Sequence, residues 1–179
     1  MQVVNDTQDT AVSDTQVSES HLTAFEGVMD VVRSVNDSNL ILPPDGRQSE
    51  TALLVGRGTR RLLRGLGYST VSELTLASNR RADLVALGPD GTIFIVEIKS
   101  SIEDFRVDQK WPDYLDWCDQ LYVAVPVDFP QALIPEEIGL IVADAYGGEI
   151  LRHPPRRPIV AARRKSLLVD CSRLASERL

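Results

Sequence analysis

An α/β domain, with a mixed β-sheet flanked by helices, is the fold class that the sequence predicts, and three observations predict it. An amphipathic helical stretch with signals at both ends occupies residues 50–66. Three short runs rich in β-branched and apolar residues follow at about 69–76, 82–88 and 92–99, close enough to pair as a meander. A second helical segment then leads into the apolar run "QLYVAVP", and a strand reached by such a crossover tends to lie parallel to its neighbour. The predicted order is α-β-β-β-α-β.

Each element has a local reason. Ser49 is a good N-cap, because its hydroxyl can accept from an orphan backbone N–H of the first turn. Gly67 stands where a helix ends in a left-handed residue. Val55, Leu62, Leu63 and Leu66 form the apolar stripe between these signals, and Arg57, Arg60, Arg61 and Arg64 recur at helical spacing on another face. Such an arginine face either grips phosphates or is merely solvated, and the second is the commoner case. Pro112 suits the first turn of a helical segment over about 112–118. "GLIVADAYGGEILR" reads as two strands around Tyr146-Gly147-Gly148, and a last helix is expected over about 160–176.

Composition narrows the function classes. With 43% hydrophobic residues, the 179-residue chain can build a core. No apolar run approaches the roughly 20 residues that cross a bilayer, so no membrane role is expected. The start of the chain has neither the basic flank nor the apolar core of a secretory signal. Cys118, Cys171, His21 and His153 lack metal-ligand spacing, so the expected compartment is the reducing cytoplasm. The net charge is −7, but residues 1–48 carry eight acids and two bases, whereas the rest carries 18 acids and 17 bases. Residues 1–43 are expected to be a mostly disordered extension with a short amphipathic helix at 22–36, and residues 44–179 the folded domain. That domain is near neutral with a basic end, which permits DNA as a partner. A homodimer is equally compatible.

The chemistry is concentrated in "RRADLVALGPDGTIFIVEIKSS". Pro89-Asp90-Gly91 reads as a tight turn, which sets Gly88 opposite Thr92 and Asp83 opposite Glu97. Glu97 and Lys99 share a face by alternation, so Asp83, Glu97 and Lys99 converge at one end of the sheet. Two opposed carboxylates repel unless a cation lies between them. That cation is either Lys99 with Arg81, in a salt-bridge cluster, or a divalent metal ion. The pattern leaves the two evenly balanced.

Further residues tip the balance. Asp83 followed by Glu97-Ile98-Lys99, on a hairpin preceded by a helix and a strand, resembles the PD-(D/E)xK nuclease superfamily. "GRQSETALLVGRG", "RRADLVALGPDG", "IVEIKSSIEDFR", "KWPDY" and "GLIVADAYGGEIL" resemble the MmcB-like family of bacterial DNA repair proteins over about residues 45–170. The resemblance implies a restriction-endonuclease-like core and a DNA repair enzyme, a Mg²⁺-dependent deoxyribonuclease with Mn²⁺ as a substitute. It also implies that Asp83, Glu97 and the Ile98 carbonyl hold the metal. Lys99 would orient or activate water and offset charge on the phosphorane. Ala82 stands where the pattern has proline. The helix acid of many members is missing near Gly67, which leaves Glu50 at the helix start as the favoured fourth catalytic residue and Glu73 as its substitute.

Around this centre Arg80, Arg81, Lys110, Arg163 and Arg164 are expected to contact nucleic acid, while Trp111, Tyr114 and Trp117 are expected to pack as core. The alternative reading is a nuclease-fold module with weak or no activity that binds DNA or a repair partner. RNA cleavage by the same site is a third.

Overall fold

The computed structural model describes residues 49–108 and 110–178. The expected extension 1–43 with its helix 22–36 lies outside them. Helix α1 (Glu50–Gly65) leads into β1 (Ser69–Thr75), β2 (Arg81–Leu87) and β3 (Ile93–Ile98). Then come a short helix α2 (Ile102–Val107), a 3₁₀ segment (Trp111–Trp117), β4 (Gln120–Val125), a 3₁₀ turn (Gln131–Leu133), β5 (Gly139–Ala143), β6 (Gly148–Arg152) and α3 (Ala161–Glu177). The strands form one six-stranded sheet in sequential order. The first three pair antiparallel, β3, β4 and β5 run parallel, and β6 returns antiparallel. This is the mixed, helix-flanked α/β sheet that the sequence predicts.

The caps act as expected. Ser49 Oγ accepts from the Ala52 N–H at 3.1 Å. At the other end Gly67, at φ 85°, lets its own N–H reach the Arg64 carbonyl and that of Tyr68 reach Leu63, which satisfies two orphan acceptors. Gly91 takes φ 80° in the β2–β3 turn, while Asp90 accepts from the Thr92 N–H and hydroxyl. The turn therefore fixes the register: Leu84 pairs with Val96 and Leu87 with Ile93, as the sequence predicts.

The sheet separates two apolar layers. On one side Val55, Leu62 and Leu63 of α1 cover Leu84, Phe94 and Tyr122. On the other, Phe105, Tyr114 and Leu167 cover Ile93, Ile95 and Leu121. Burying each such side chain contributes about 1.5–3 kcal/mol before chain entropy is subtracted. Cys118 and Cys171 are free and buried within the second layer. Helix α1 also sits hard against the β5–β6 turn: a Cβ at Gly58 would lie 2.0 Å from the Asp144 carbonyl oxygen and 2.3 Å from that of Gly147.

The arginine face of α1 is split by the fold. Arg57 and Arg64 are exposed, but Arg60 is buried, with Nη1 donating to Ser72 Oγ at 3.1 Å. Arg61 donates to the carbonyls of Ala145 and Tyr146. Helical periodicity correctly placed these residues on the helix but could not show which of them had partners in the sheet.

Candidate active site

The paired β2–β3 ladder ends at Leu84 and Val96. Beyond it, side-chain oxygens take over as acceptors for the backbone. The Ile98 N–H donates to Asp83 Oδ2 at 2.8 Å, and the Asp83 N–H to Glu97 Oε1 at 3.3 Å. The two carboxylates are thereby held where the strands part, at the carboxyl end of β3. Asp83, Glu97, Ile98 and Lys99 line a pocket of about 460 Å³, closed by Arg81, Ser49, Ala52, Ser100, Asp104, Asp108 and Tyr114. The convergence expected from the hairpin register is present.

Burial dominates the electrostatics. Glu97 is 4% exposed, and desolvation pushes its carboxyl well above the usual range, with the charge of Asp83 adding to the effect. Asp83 is raised for the same first reason, against the opposing pull of the Ile98 N–H and of Lys99. Burial also works against the Lys99 ammonium, but its hydrogen bond to Asp108 outweighs this and leaves it above the usual lysine value. Asp108 is held low by that partner, despite its own desolvation. Tyr114, whose hydroxyl donates to the Arg81 carbonyl at 3.0 Å, is raised by burial and then by Glu97 and Asp83.

The ion pairs do not follow the salt-bridge account of this cluster. Lys99 Nζ lies 2.5 Å from Asp108 Oδ2 and 4.0 Å from Asp104, and Arg81 Nε lies 2.6 Å from Glu73. Among the described residues no ion pair uses Asp83 or Glu97. A buried and a half-buried carboxylate, Glu97 and Asp83, side by side and without an ion-paired cation, fit a hard divalent cation, which is content with one or two carboxylates, water and substrate oxygens. Among the described residues no group of three or more His, Cys, Asp or Glu side chains could hold a metal ion.

The other expected residues divide. Glu50 is exposed in the first turn of α1, and its neighbours Ser49 and Ala52 line the pocket in its stead. Glu73 faces Asp83 across β1–β2, since Ser72 pairs with Leu84 and Leu74 with Ala82. It adopts φ 55°, a strained value for a residue with a side chain, and its charge acts on Asp83. Arg80 is ion-paired to Asp113 at 2.6 Å, and Lys110 is exposed at the start of the 3₁₀ segment.

Arg163 and Arg164 are not brought to the pocket. Arg164 makes a two-pronged contact with the fully buried Asp119 and also reaches the Gly91 carbonyl. That places it at the opposite end of β3, about 25 Å from Lys99 along the strand. Arg163 lies over the Trp117 ring at 4.8 Å and donates to the Asp116 carbonyl. Both arginines therefore have intramolecular partners at that end of the sheet. Asp104 and Asp108 were not anticipated, although their i, i+4 spacing after Ser101 carries the signal of one helix face behind an N-cap.

The comparisons with known proteins bear on this geometry. The sequence matches the family described as DNA repair protein MmcB-like over residues 39–179. The chain belongs to the MmcB-like DNA repair family. A solved structure, "SPO1766 protein of unknown function from Silicibacter pomeroyi", is 41% identical, with a TM-score of 0.71 over 73% of this chain and 90% of its own. No curated protein matches. Every pocket residue of this MmcB-like chain falls within the family match. Among the described residues, no helix is long and apolar enough to cross a membrane.

Proposed function

We propose that this MmcB-like protein is a metal-dependent nuclease that hydrolyses phosphodiester bonds in DNA during repair. One observation carries the reading: Asp83 and Glu97 are desolvated together in a pocket, with the available cations engaged by other acids. Asp83, Glu97 and the Ile98 carbonyl would hold Mg²⁺ or Mn²⁺. The ion would supply Lewis-acid polarisation of the phosphate and a more acidic bound water.

The chain's own residues account for the rest. Lys99 is buried and tethered by Asp108, so its ammonium has a fixed position beside the carboxylates and can offset charge on a pentacoordinate phosphorus. Arg81 stands half-exposed at the rim, and Tyr114 anchors its backbone. An incoming phosphate competes with Glu73 for the Arg81 guanidinium, a bidentate donor suited to phosphate. The test is incubation of the purified protein with labelled single-stranded, duplex, branched and mismatched DNA, with and without Mg²⁺ or Mn²⁺. Metal-dependent cleavage that Asp83→Asn abolishes is the expected result. No cleavage of any substrate would overturn the reading.

A further inference from the structure

Tyr146 is 83% exposed at the tip of the β5–β6 turn, yet the tip that carries it is firmly held. Asp144 Oδ1 accepts from the N–H groups of Tyr146 and Gly147 at 2.7 and 2.9 Å. Arg61 donates to the Ala145 and Tyr146 carbonyls, and Gly58 of α1 packs so closely that no Cβ fits. A rigid backbone thus presents an aromatic ring to solvent. Rigidity matters because a platform fixed in advance gives up little entropy on stacking.

The position of the tip adds to this. Strands β3, β4 and β5 are parallel, with Ile98 beside Ala124 and Val125 beside Val142. Their carboxyl ends therefore form one edge, which carries Glu97 and Lys99 on β3 and leads into the Tyr146 turn from β5. Two strand spacings separate them, about 10 Å. Helix α1 spans the same interval: Ser49 and Ala52 line the pocket, Gly58 touches the turn, and nine residues of helix rise about 14 Å. Arg57 is exposed on α1, one turn before Arg61 and on the same side. The edge thus runs from the carboxylates past an exposed guanidinium to an exposed ring.

We propose that Arg57 and Tyr146 form a contact for unpaired nucleic acid, with a base stacked on Tyr146 and a phosphate on Arg57, about three nucleotides from the pocket. The inference rests on the nuclease reading of the pocket and gives it a substrate class, single-stranded DNA. A paired base cannot offer its face to the ring, so the contact discriminates against duplex.

The experiment is fluorescence anisotropy in EDTA, with the full chain, a short labelled oligothymidylate and a duplex of the same length. Tyr146→Ala should weaken single-strand binding about 5- to 150-fold, while Tyr146→Phe and Tyr146→Trp retain it. Duplex binding should be unchanged. Arg57→Ala should reduce the slope of log K against log salt by about 0.7 on the single strand. The proposal is overturned if Tyr146→Ala binds as wild type, loses both forms equally, or is matched by Tyr146→Phe, or if the wild-type protein binds neither. Tyr146-dependent single-strand binding without Mn²⁺-dependent cleavage would uphold the contact and overturn the nuclease reading. Cleavage with single-strand affinity indifferent to Tyr146→Ala would do the reverse.

Discussion

Replacing Glu97 with glutamine should stabilise the metal-free protein at pH 8 and destabilise it slightly, by about 1 kcal/mol, at pH 5. Glu97 is 4% exposed, and burial with the neighbouring Asp83 raises its carboxyl from 4.5 to about 8. A carboxyl raised by folding contributes stability that is intact below its unfolded value and is lost as the pH rises through its folded one. Between pH 5 and 8 the wild-type protein should therefore lose on the order of 3 kcal/mol at this group, at 1.36 kcal/mol per unit. Glutamine does not ionise, and its carbonyl oxygen can still accept from the Asp83 N–H. Its amide N–H groups need partners in turn, which costs about 1–2 kcal/mol. The net gain at pH 8 is then about 1–2 kcal/mol, or roughly 3–10 °C in a domain of this size.

The assay is a thermal melt of wild type, Glu97→Gln and Asp83→Asn at pH 5 and 8, in EDTA and in Mn²⁺. Mn²⁺ at a hundredfold its dissociation constant should stabilise wild type by about 2.7 kcal/mol, and the two variants far less. A Glu97→Gln protein that melts several degrees below wild type at pH 8 in EDTA would refute the reasoning. It would mean that the carboxylate is a structural partner of Lys99. Wild-type protein indifferent to Mn²⁺ would remove the metal as well.

Other outcomes follow from the same geometry. On the proposed nuclease reading, Lys99→Ala should slow cleavage by about 10²–10³-fold with the Mn²⁺-induced rise in melting temperature largely kept, because the lysine would act beside the ion rather than on it. Arg164→Ala should cost about 3–5 kcal/mol by stranding the buried Asp119, and nuclease activity measured well below the melting point should persist. Gly58→Ala should destabilise by about 1–3 kcal/mol or more in a denaturant melt, because the clash is with backbone oxygens that no rotamer change relieves.

What was legible in the sequence was mostly local. Ser49, Gly67 and the Pro89-Asp90-Gly91 turn carry their conformations in their own covalent structure, and the turn alone fixed the register that unites Asp83 with Glu97. Long-range partners were not legible. Within Arg163-Arg164-Lys165, the sequence does not show that Arg164 is paired with Asp119, 45 residues away. Arg60 repeats on the arginine face of α1 but ends in the sheet against Ser72. Glu73 follows strand alternation in the sequence, yet its positive φ breaks that alternation: Val71 and Leu74 pack into the same layer. The spacing of Asp104 and Asp108 behind Ser101 places them on one side of α2 but does not show that Asp108 reaches Lys99, nine residues back at the end of β3.

The end of the β2–β3 ladder supports the proposed site over an accident of packing. A sheet gains nothing by closing a strand pair with two desolvated carboxylates, since apolar residues of similar size there are often neutral or stabilising. Here both carboxylates are instead locked by backbone donors, Asp83 by Ile98 and Glu97 by Asp83, so neither can swing out to water without losing a hydrogen bond. Lys99, the obvious neutraliser, is drawn to Asp108, and Arg81 to Glu73. The fold thus disfavours ionisation of the two carboxyls at one point while pairing the cations with other acids nearby. A bound cation would relieve both the mutual repulsion and the desolvation, so metal affinity and apo instability at pH 8 should rise and fall together across variants of Asp83 and Glu97.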